Sequence, residues 1–396
     1  MGTVLLTTMG TGGDIVPFLA LGHALVARGH DVTLVSHAYY ASRAIQLGIN
    51  FVELDSPKEY EQLIEATAGL VGRAFDFHYA DGIAASYYTD LRRRTEFEAI
   101  QTRIKKGKTV VLGRHLMATA SYFAAEQADT PFAWVLLYPS ATSTLQIADH
   151  LYHRELLHKL NCERALFGLP AARSWIDWAT SPQFSLGLWP EWFAPEAARL
   201  PGLVSTGFIL DDQAEVGVMP SKVQEFLASG SPPVLITGGT GMMLRQDFYR
   251  VAARACQLGG WRALLVTKYP QLVPKHLPST IKWADHLPFA STMLYTSAVI
   301  HHGGINTSAR ALASGIPQLV LAEGVDRPDN AFHLQQLGVA EYLLPPYWTP
   351  ERVATSLSRI AQSHEVRQSA QSISNRISRV KAVADACAVI ERIMYS

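Results

Sequence analysis

Apolar positions along this chain follow two periods in alternation, and the alternation runs through two cycles. "TVLLTT" (3–8) has the character of a buried strand, residues 15–28 place Phe18, Leu21 and Leu25 at helical spacing, and Gly29 stops that helix before "DVTLVS" (31–36) resumes a strand. A strand, a helix and a strand in such close succession predict parallel strands joined by a right-handed crossover. "TVVLG" (109–113) and "FAWVLL" (132–137) extend the same sheet. After the Gly, Ser and Pro residues of "LASGSPP" (227–233), a second cycle sets strands at "VLIT" (234–237), "RALLVT" (262–267), "AVIHH" (298–302), "QLVLA" (318–322) and "EYLL" (341–344).

This pattern predicts an α/β protein of two Rossmann-like, doubly wound domains facing each other across a cleft. The first is expected over residues 1–215 and the second over 216–375, with 376–396 a helix crossing back to the first. From Ser56 to Lys108 the chain is polar, aromatic and weakly periodic, with "AFDFHYADGIAASYYTDL" (74–91) at its centre. Phe75, Phe77, Tyr87 and Tyr88 there are candidates for holding an apolar substrate, and a peripheral helical pair packing on its own aromatics is the alternative.

Composition narrows the class. At 396 residues the chain exceeds what one core normally serves, and 48% apolar against 17% charged residues describes a well-buried globular protein. Lys plus Arg and Asp plus Glu are both 34, which removes the electrostatic footprint of a nucleic-acid-binding protein. Cys162, Cys256 and Cys387 are far apart, match no metal-ligand spacing and build no disulfide framework, so a reducing cytoplasm is expected. "MGTVLLTTMG" lacks a basic leader, and no apolar run is long enough for a transmembrane helix. The basic clusters "LRRR" (91–94) and "RIKKGK" (103–108) are candidates for touching an anionic membrane surface, with solvated helix faces and a loop the favoured alternative. Oligomeric state is not legible.

The chemistry concentrates at "HHGGINTSARALASGIPQLV" (301–320). A strand ends at His302, a helix runs from Asn306 to Ala313, and "GGIN" turns between them at the carboxyl edge of the sheet. There the first helical turn presents N–H groups without intrahelical acceptors and the positive end of the helix dipole. Gly303 and Gly304 let an anion approach the backbone, Thr307 adds a hydroxyl, and His302 a ring N–H. A diphosphate is the expected anion. A Gly-Gly turn before a helix is common, but two other segments converge on the same edge: "AEGVDRPDNA" (322–331) and the glycine turn "ITGGT" (236–240).

"TMGTGGDIVPF" (8–18) is a second such turn. It is no dinucleotide fingerprint, since Ile15 stands where a third Gly would be needed, and no P-loop, which would require Lys. Asp14 stands directly before the first helix, where Asp is also a favoured N-cap.

On these residues the chain resembles the GT-B glycosyltransferases that use nucleotide-activated sugars. "HHGGINTSARALASGIPQLVLAEGVDRPDNA" looks like their donor signature and "GTGGDIVPFLALGHALVARGH" (10–30) like their first turn and helix, so the resemblance covers nearly the whole chain. "SPQFSLGLWPEWFAP" (181–195), "STGF" (205–208) and "QDFYRVAARA" (246–255) are similar to the bacterial rhamnosyltransferases of rhamnolipid synthesis within that family, beside its sterol and antibiotic branches.

The resemblance implies that His302, Gly303, Gly304, Asn306, Thr307 and Thr240 hold the diphosphate. It places His286 and Leu287 of "HLPF" against the base and Asp326 and Arg327 against the sugar. Where many uridine-nucleotide enzymes of the family carry a Glu for the ribose hydroxyls this chain has Arg310, which fits a thymidine donor lacking the 2′-OH. Arg327 replaces a usual Gln, and a guanidinium only donates. Asp14 becomes the general base of an inverting transfer to a lipophilic hydroxyl, with His115 a candidate partner and acceptor contact, the favoured alternative being an ordinary polar residue at a strand end. A carboxylate is a weak base for an alcohol, but it suffices if the proton moves late, after oxocarbenium character has built up.

No cofactor is implied beyond the nucleotide sugar as co-substrate, and with no D-x-D cluster at a strand end the transfer is expected to be metal-independent. A nucleotide-sugar epimerase or hydrolase, or a non-catalytic nucleotide-sugar-binding activator subunit, would keep the same fold.

Overall fold

The computed structural model describes residues 1–73, 77–182, 184–210, 218–324 and 326–395. The chain divides into two compact units, one formed by 1–64, 81–209 and 379–396, the other by 65–80 and 210–378.

The first unit is built on seven parallel strands: β1 (Thr3–Thr7), β2 (Asp31–Ser36), β3 (Asn50–Glu53), β4 (Thr109–Arg114), β5 (Phe132–Leu136), β6 (Phe184–Gly187) and β7 (Leu203–Ser205). Their order is β3-β2-β1-β4-β5-β6-β7. The sequence pattern located the four central strands, which are buried along almost every residue; it missed β3, β6 and β7, which are short and lie toward the edges of the sheet. Helix Gly12–Ala27 begins three residues earlier than its apolar spacing indicates, because Gly12 and Gly13 carry no apolar signal. The last helix, Arg379–Met394, packs Ala386, Ile390 and Ile393, each at most 1% exposed, into the same core as Phe18 and Leu21. Glu391 fixes its outer face, taking a two-pronged bond from Arg28 at 2.7 and 2.6 Å and a third from His30 at 3.0 Å.

The second unit holds six parallel strands: β8 (Val234–Thr237), β9 (Ala263–Val266), β10 (Ile281–Ala284), β11 (Ala298–His301), β12 (Gln318–Leu321) and β13 (Ala340–Leu343), in the order β10-β9-β8-β11-β12-β13. Strand β10 escaped the sequence reading because Lys282 and Trp283 at its centre are exposed. Both sheets reverse winding direction between their first and fourth strands, β1|β4 and β8|β11. In doubly wound sheets ligands bind outside the carboxyl ends of the strands at that reversal. Among the described residues no helix is long and apolar enough to cross a membrane. Of "LRRR", Arg92 and Arg93 turn inward to Glu59 and Glu163, leaving Arg94 exposed; this run is therefore not the basic surface patch it resembled.

Candidate active site

In the second unit the loops after β8, β11 and β12 meet around one imidazole. His302 is 8% exposed, and its ring lies between two glycines: a Cβ on Gly239 would stand 2.6 Å from Cε1, and one on Gly304 2.5 Å from Nε2. Gly303 is pinned from the other side, where a Cβ would meet the Arg327 backbone oxygen at 3.0 Å. This explains the three glycines: at Gly239 and Gly303 two chain segments approach too closely for a side chain, and at Gly304 the turn folds back onto its own His302 ring.

Helix Ile305–Ala313 starts at this turn with Gly304 as its N-cap, one residue earlier than expected. Asn306 and Thr307 lie in its first turn, Asn306 half-buried and Thr307 nearly buried. Not every glycine amide faces outward. Gly303 N–H donates to His301 Nδ1 at 3.2 Å, Gly238 N–H to the Tyr249 hydroxyl at 2.8 Å and Gly239 N–H to Thr237 Oγ1 at 3.2 Å. Of the groups expected to meet an anion, this leaves the helix N-terminus beyond Gly303, the Thr307 hydroxyl and the His302 ring, whose Nδ1 is buried without a hydrogen-bond partner among the described residues.

Burial first, then the neighbouring Arg327 charge, hold His302 well below the usual histidine range. Held neutral in this way, it can offer an anion a hydrogen bond, in keeping with the ring N–H expected of it, and no full charge. The nearby cation is Arg327, 9% exposed, which donates to the carbonyls of Met243 at 2.6 Å and Glu323 at 3.2 Å and so ties the β8 loop to the β12 loop. At least part of this guanidinium is occupied internally, unlike a side chain devoted to sugar hydroxyls. Asp326 stands at the N-cap position of helix Arg327–Gln336 without a side-chain cap bond, and Asn330, which the sequence pattern does not mark, donates to Asp326 Oδ2 and to the Gly303 carbonyl at 3.0 Å each.

Thr240 is exposed after the β8 turn, its carbonyl accepting from the Tyr269 hydroxyl at 3.0 Å. His286 is exposed after β10, whereas the Leu287 side chain is in the core, leaving only its backbone to meet a base. Arg310 is buried in helix Ile305–Ala313.

In the first unit Asp14 is not ahead of the helix but inside its first turn, with Thr11 as N-cap. Asp14 Oδ2 accepts from Thr11 N–H at 2.7 Å and from the Thr11 hydroxyl at 3.1 Å, and Oδ1 lies 3.0 Å from Arg114 Nη2. Arg114, at the end of β4, also donates to the Met9 carbonyl and so grips both sides of the glycine turn. The partner of Asp14 is this arginine and not His115, whose ring packs edge-on against Trp134 and whose pKa burial pushes down to about 4.

Tyr40 lies close enough to be affected by the Asp14 charge, and with Tyr39 and Tyr60 it forms an aromatic cluster at 5.0 to 5.8 Å between ring centres. Tyr87 and Tyr88 take a different place from the one expected. Both are buried, their hydroxyls donating to Asp55 at 2.6 Å and Glu96 at 2.5 Å, and they brace the unit internally. Phe75 lies outside the described residues, and of Phe77 only its place at the start of helix Phe77–Tyr87 is described.

Comparison with known proteins agrees with both halves of this description. Residues 4–127 match the glycosyltransferase family 28 N-terminal domain, and residues 265–386 match the C-terminal domain of erythromycin biosynthesis protein CIII-like proteins. The chain is 28% identical to the O-mycaminosyltylonolide 6-deoxyallosyltransferase of Streptomyces fradiae, over 98% of this chain and 96% of that one. It is 25% identical to the dTDP-epi-vancosaminyltransferase of Amycolatopsis orientalis, over 93% and 92%. Among solved structures, the spinosyn forosaminyltransferase SpnP superposes with a TM-score of 0.76 at 18% identity over the full length of both chains. The glycosyltransferase VinC in complex with dTDP gives 0.71 at 17%, over 99% of each. The chain belongs to the GT-B glycosyltransferases, and its fold is the two-domain α/β GT-B fold.

Proposed function

We propose that this enzyme transfers a deoxysugar, L-rhamnose among the candidates, from a thymidine diphosphate donor to a hydroxyl of a lipophilic natural product. The observation that carries the donor half is His302: a neutral imidazole, caged by two glycine turns at a helix N-terminus, with a buried ring nitrogen lacking a partner. A diphosphate oxygen would complete that nitrogen's hydrogen bonding, and the helix terminus would face the charge. Arg310 in place of a carboxylate supports a deoxyribose, and the relative named for a dTDP sugar is consistent with it.

For the acceptor half, Asp14 is the proposed base. Its Oδ atoms are held by Thr11 and Arg114, and Tyr40 with the exposed Tyr39 ring against it, both packed on the buried Tyr60, offers aromatic surface to an acceptor. As the acceptor oxygen bonds to the anomeric carbon and the bond to the diphosphate oxygen breaks, the hydroxyl proton passes to Asp14. The displacement inverts the anomeric centre, and the electron pair leaves on thymidine diphosphate against the helix terminus and His302. On this reading the transfer needs no metal ion.

Calorimetric titration with thymidine diphosphate and uridine diphosphate tests the donor half. The thymidine nucleotide is expected to bind about tenfold or more tightly; a preference for the uridine nucleotide would remove the argument from Arg310.

A further inference from the structure

Behind the Asp14 turn lies a buried relay whose hydrogen-bond sense fixes one tautomer. Gly10 N–H donates to His37 Nε2 at 2.8 Å, so that nitrogen must offer its lone pair. The proton of the neutral ring is then on Nδ1, which faces Asp55 Oδ2 at 2.7 Å. Asp55 is itself held by the Tyr87 hydroxyl at 2.6 Å and by Ala38 N–H at 2.9 Å. Burial, the largest influence, raises the Asp55 pKa, but the bonds from His37 and Tyr87 outweigh it and keep the group below its ordinary value. The His37 and Asp55 side chains are both 0% exposed. The residue held at the end of this relay is the tightest point of the turn: Gly10 has φ +127°, and a Cβ there would stand 2.3 Å from Asp14 Oδ2 and 2.8 Å from Arg114 Nη1.

From this chain of bonds we infer that His37 is a positioning residue for the reaction: through the Gly10 peptide, and under the orientation imposed by Asp55, it sets where the Asp14 carboxylate stands. The inference rests on the reading of Asp14 as base. Asp55 plays toward His37 the part that a buried carboxylate plays in fixing any catalytic imidazole tautomer, but here the imidazole holds backbone rather than a nucleophile. A displacement of the carboxylate by a fraction of an ångström is enough to lower turnover strongly.

The two amide replacements of His37 separate this role from plain packing. His37→Gln can present an oxygen near the Nε2 position and still accept from Gly10 N–H. His37→Asn can donate to Asp55 but cannot reach Gly10. With dTDP-L-rhamnose and any hydroxylated acceptor the enzyme turns over, H37N is expected to lose about tenfold or more in kcat with its thymidine diphosphate affinity unchanged, and H37Q to recover most of that loss. Equal turnover in the two variants would overturn the proposal. Because either variant could fold poorly, the 15N imidazole shifts of the native protein give an independent answer: His37 is expected as the Nδ1–H tautomer at neutral pH, and the Nε2–H form would overturn the relay. Asp14→Asn in the same assay separates the two claims, since full turnover in that variant sinks the base assignment, whereas loss in D14N with wild-type turnover in H37N sinks only the positioning role.

Discussion

Arg114 Nη2 stands 3.0 Å from Asp14 Oδ1, joining the end of β4 to the first turn of the helix after β1 across the point where the sheet reverses its winding. The same guanidinium holds the Met9 carbonyl. The glycine turn is thus clamped at its entry and at its acid, and the carboxylate is held in one orientation. The side chains are only 16% and 19% exposed, so the pair is largely shielded from water, and removing the guanidinium leaves the Asp14 carboxylate without its counter-charge. Arg114→Met should therefore lower thermal stability measurably and also lower kcat by about tenfold or more. Thermal unfolding and steady-state rates at a temperature where the variant is still folded check both; a loss of stability with unchanged kcat would assign Arg114 to the scaffold alone.

Gly304 has ordinary helical-cap geometry, φ −64°, so an alanine there carries no backbone strain. Its methyl would nonetheless meet His302 Nε2 at 2.5 Å, and the ring cannot retreat because Gly239 closes on it from the opposite side. Gly304→Ala is expected to weaken thymidine diphosphate binding by about tenfold or more, measured by calorimetry. Gly82→Ala, a helical site with open space around it, serves as the control and should leave binding as it is.

A third expectation concerns stability and pH. Glu96 is fully buried, bonded to Ser121 N–H at 2.8 Å, the Ser121 hydroxyl at 2.6 Å and the Tyr88 hydroxyl at 2.5 Å, and burial pushes its pKa up to about 7. The folded chain keeps a proton there that the unfolded chain releases near pH 4.5. Stability from this site is therefore fully present below that pH and is lost as pH rises through about 7, by something on the order of 3 kcal/mol. Urea titrations across that window should show the decline in the native protein and a flatter profile in Glu96→Gln. An equally steep profile in the variant would place the dependence elsewhere.

How much of this was readable in advance follows from where each residue gets its signal. The central strands and the His302 turn announced themselves because burial on both faces leaves unbroken apolar runs, and because close approach of chain segments demands glycine. Asp14 was found for the same reason, although its place inside the helix was obscured by Gly12 and Gly13. Arg114 and His37 lie 100 and 23 residues from Asp14 in sequence, each a lone polar residue at a strand end, and no spacing rule connects them to it. Only the parallel order of β2, β1 and β4 brings the three ends side by side. Tyr87 and Tyr88 misled for the converse reason: aromatic density in a weakly periodic stretch looks like exposed surface until the buried carboxylates that bind their hydroxyls are located.

The most direct measurement of the central claim is the kcat of Asp14→Asn set against its affinity for thymidine diphosphate. Loss of a general base alone is expected to lower kcat by about 10²- to 10⁴-fold and to leave the nucleotide affinity within about threefold of the native value. Native turnover in this variant, or a fall in nucleotide affinity that matches the fall in rate, would contradict the account.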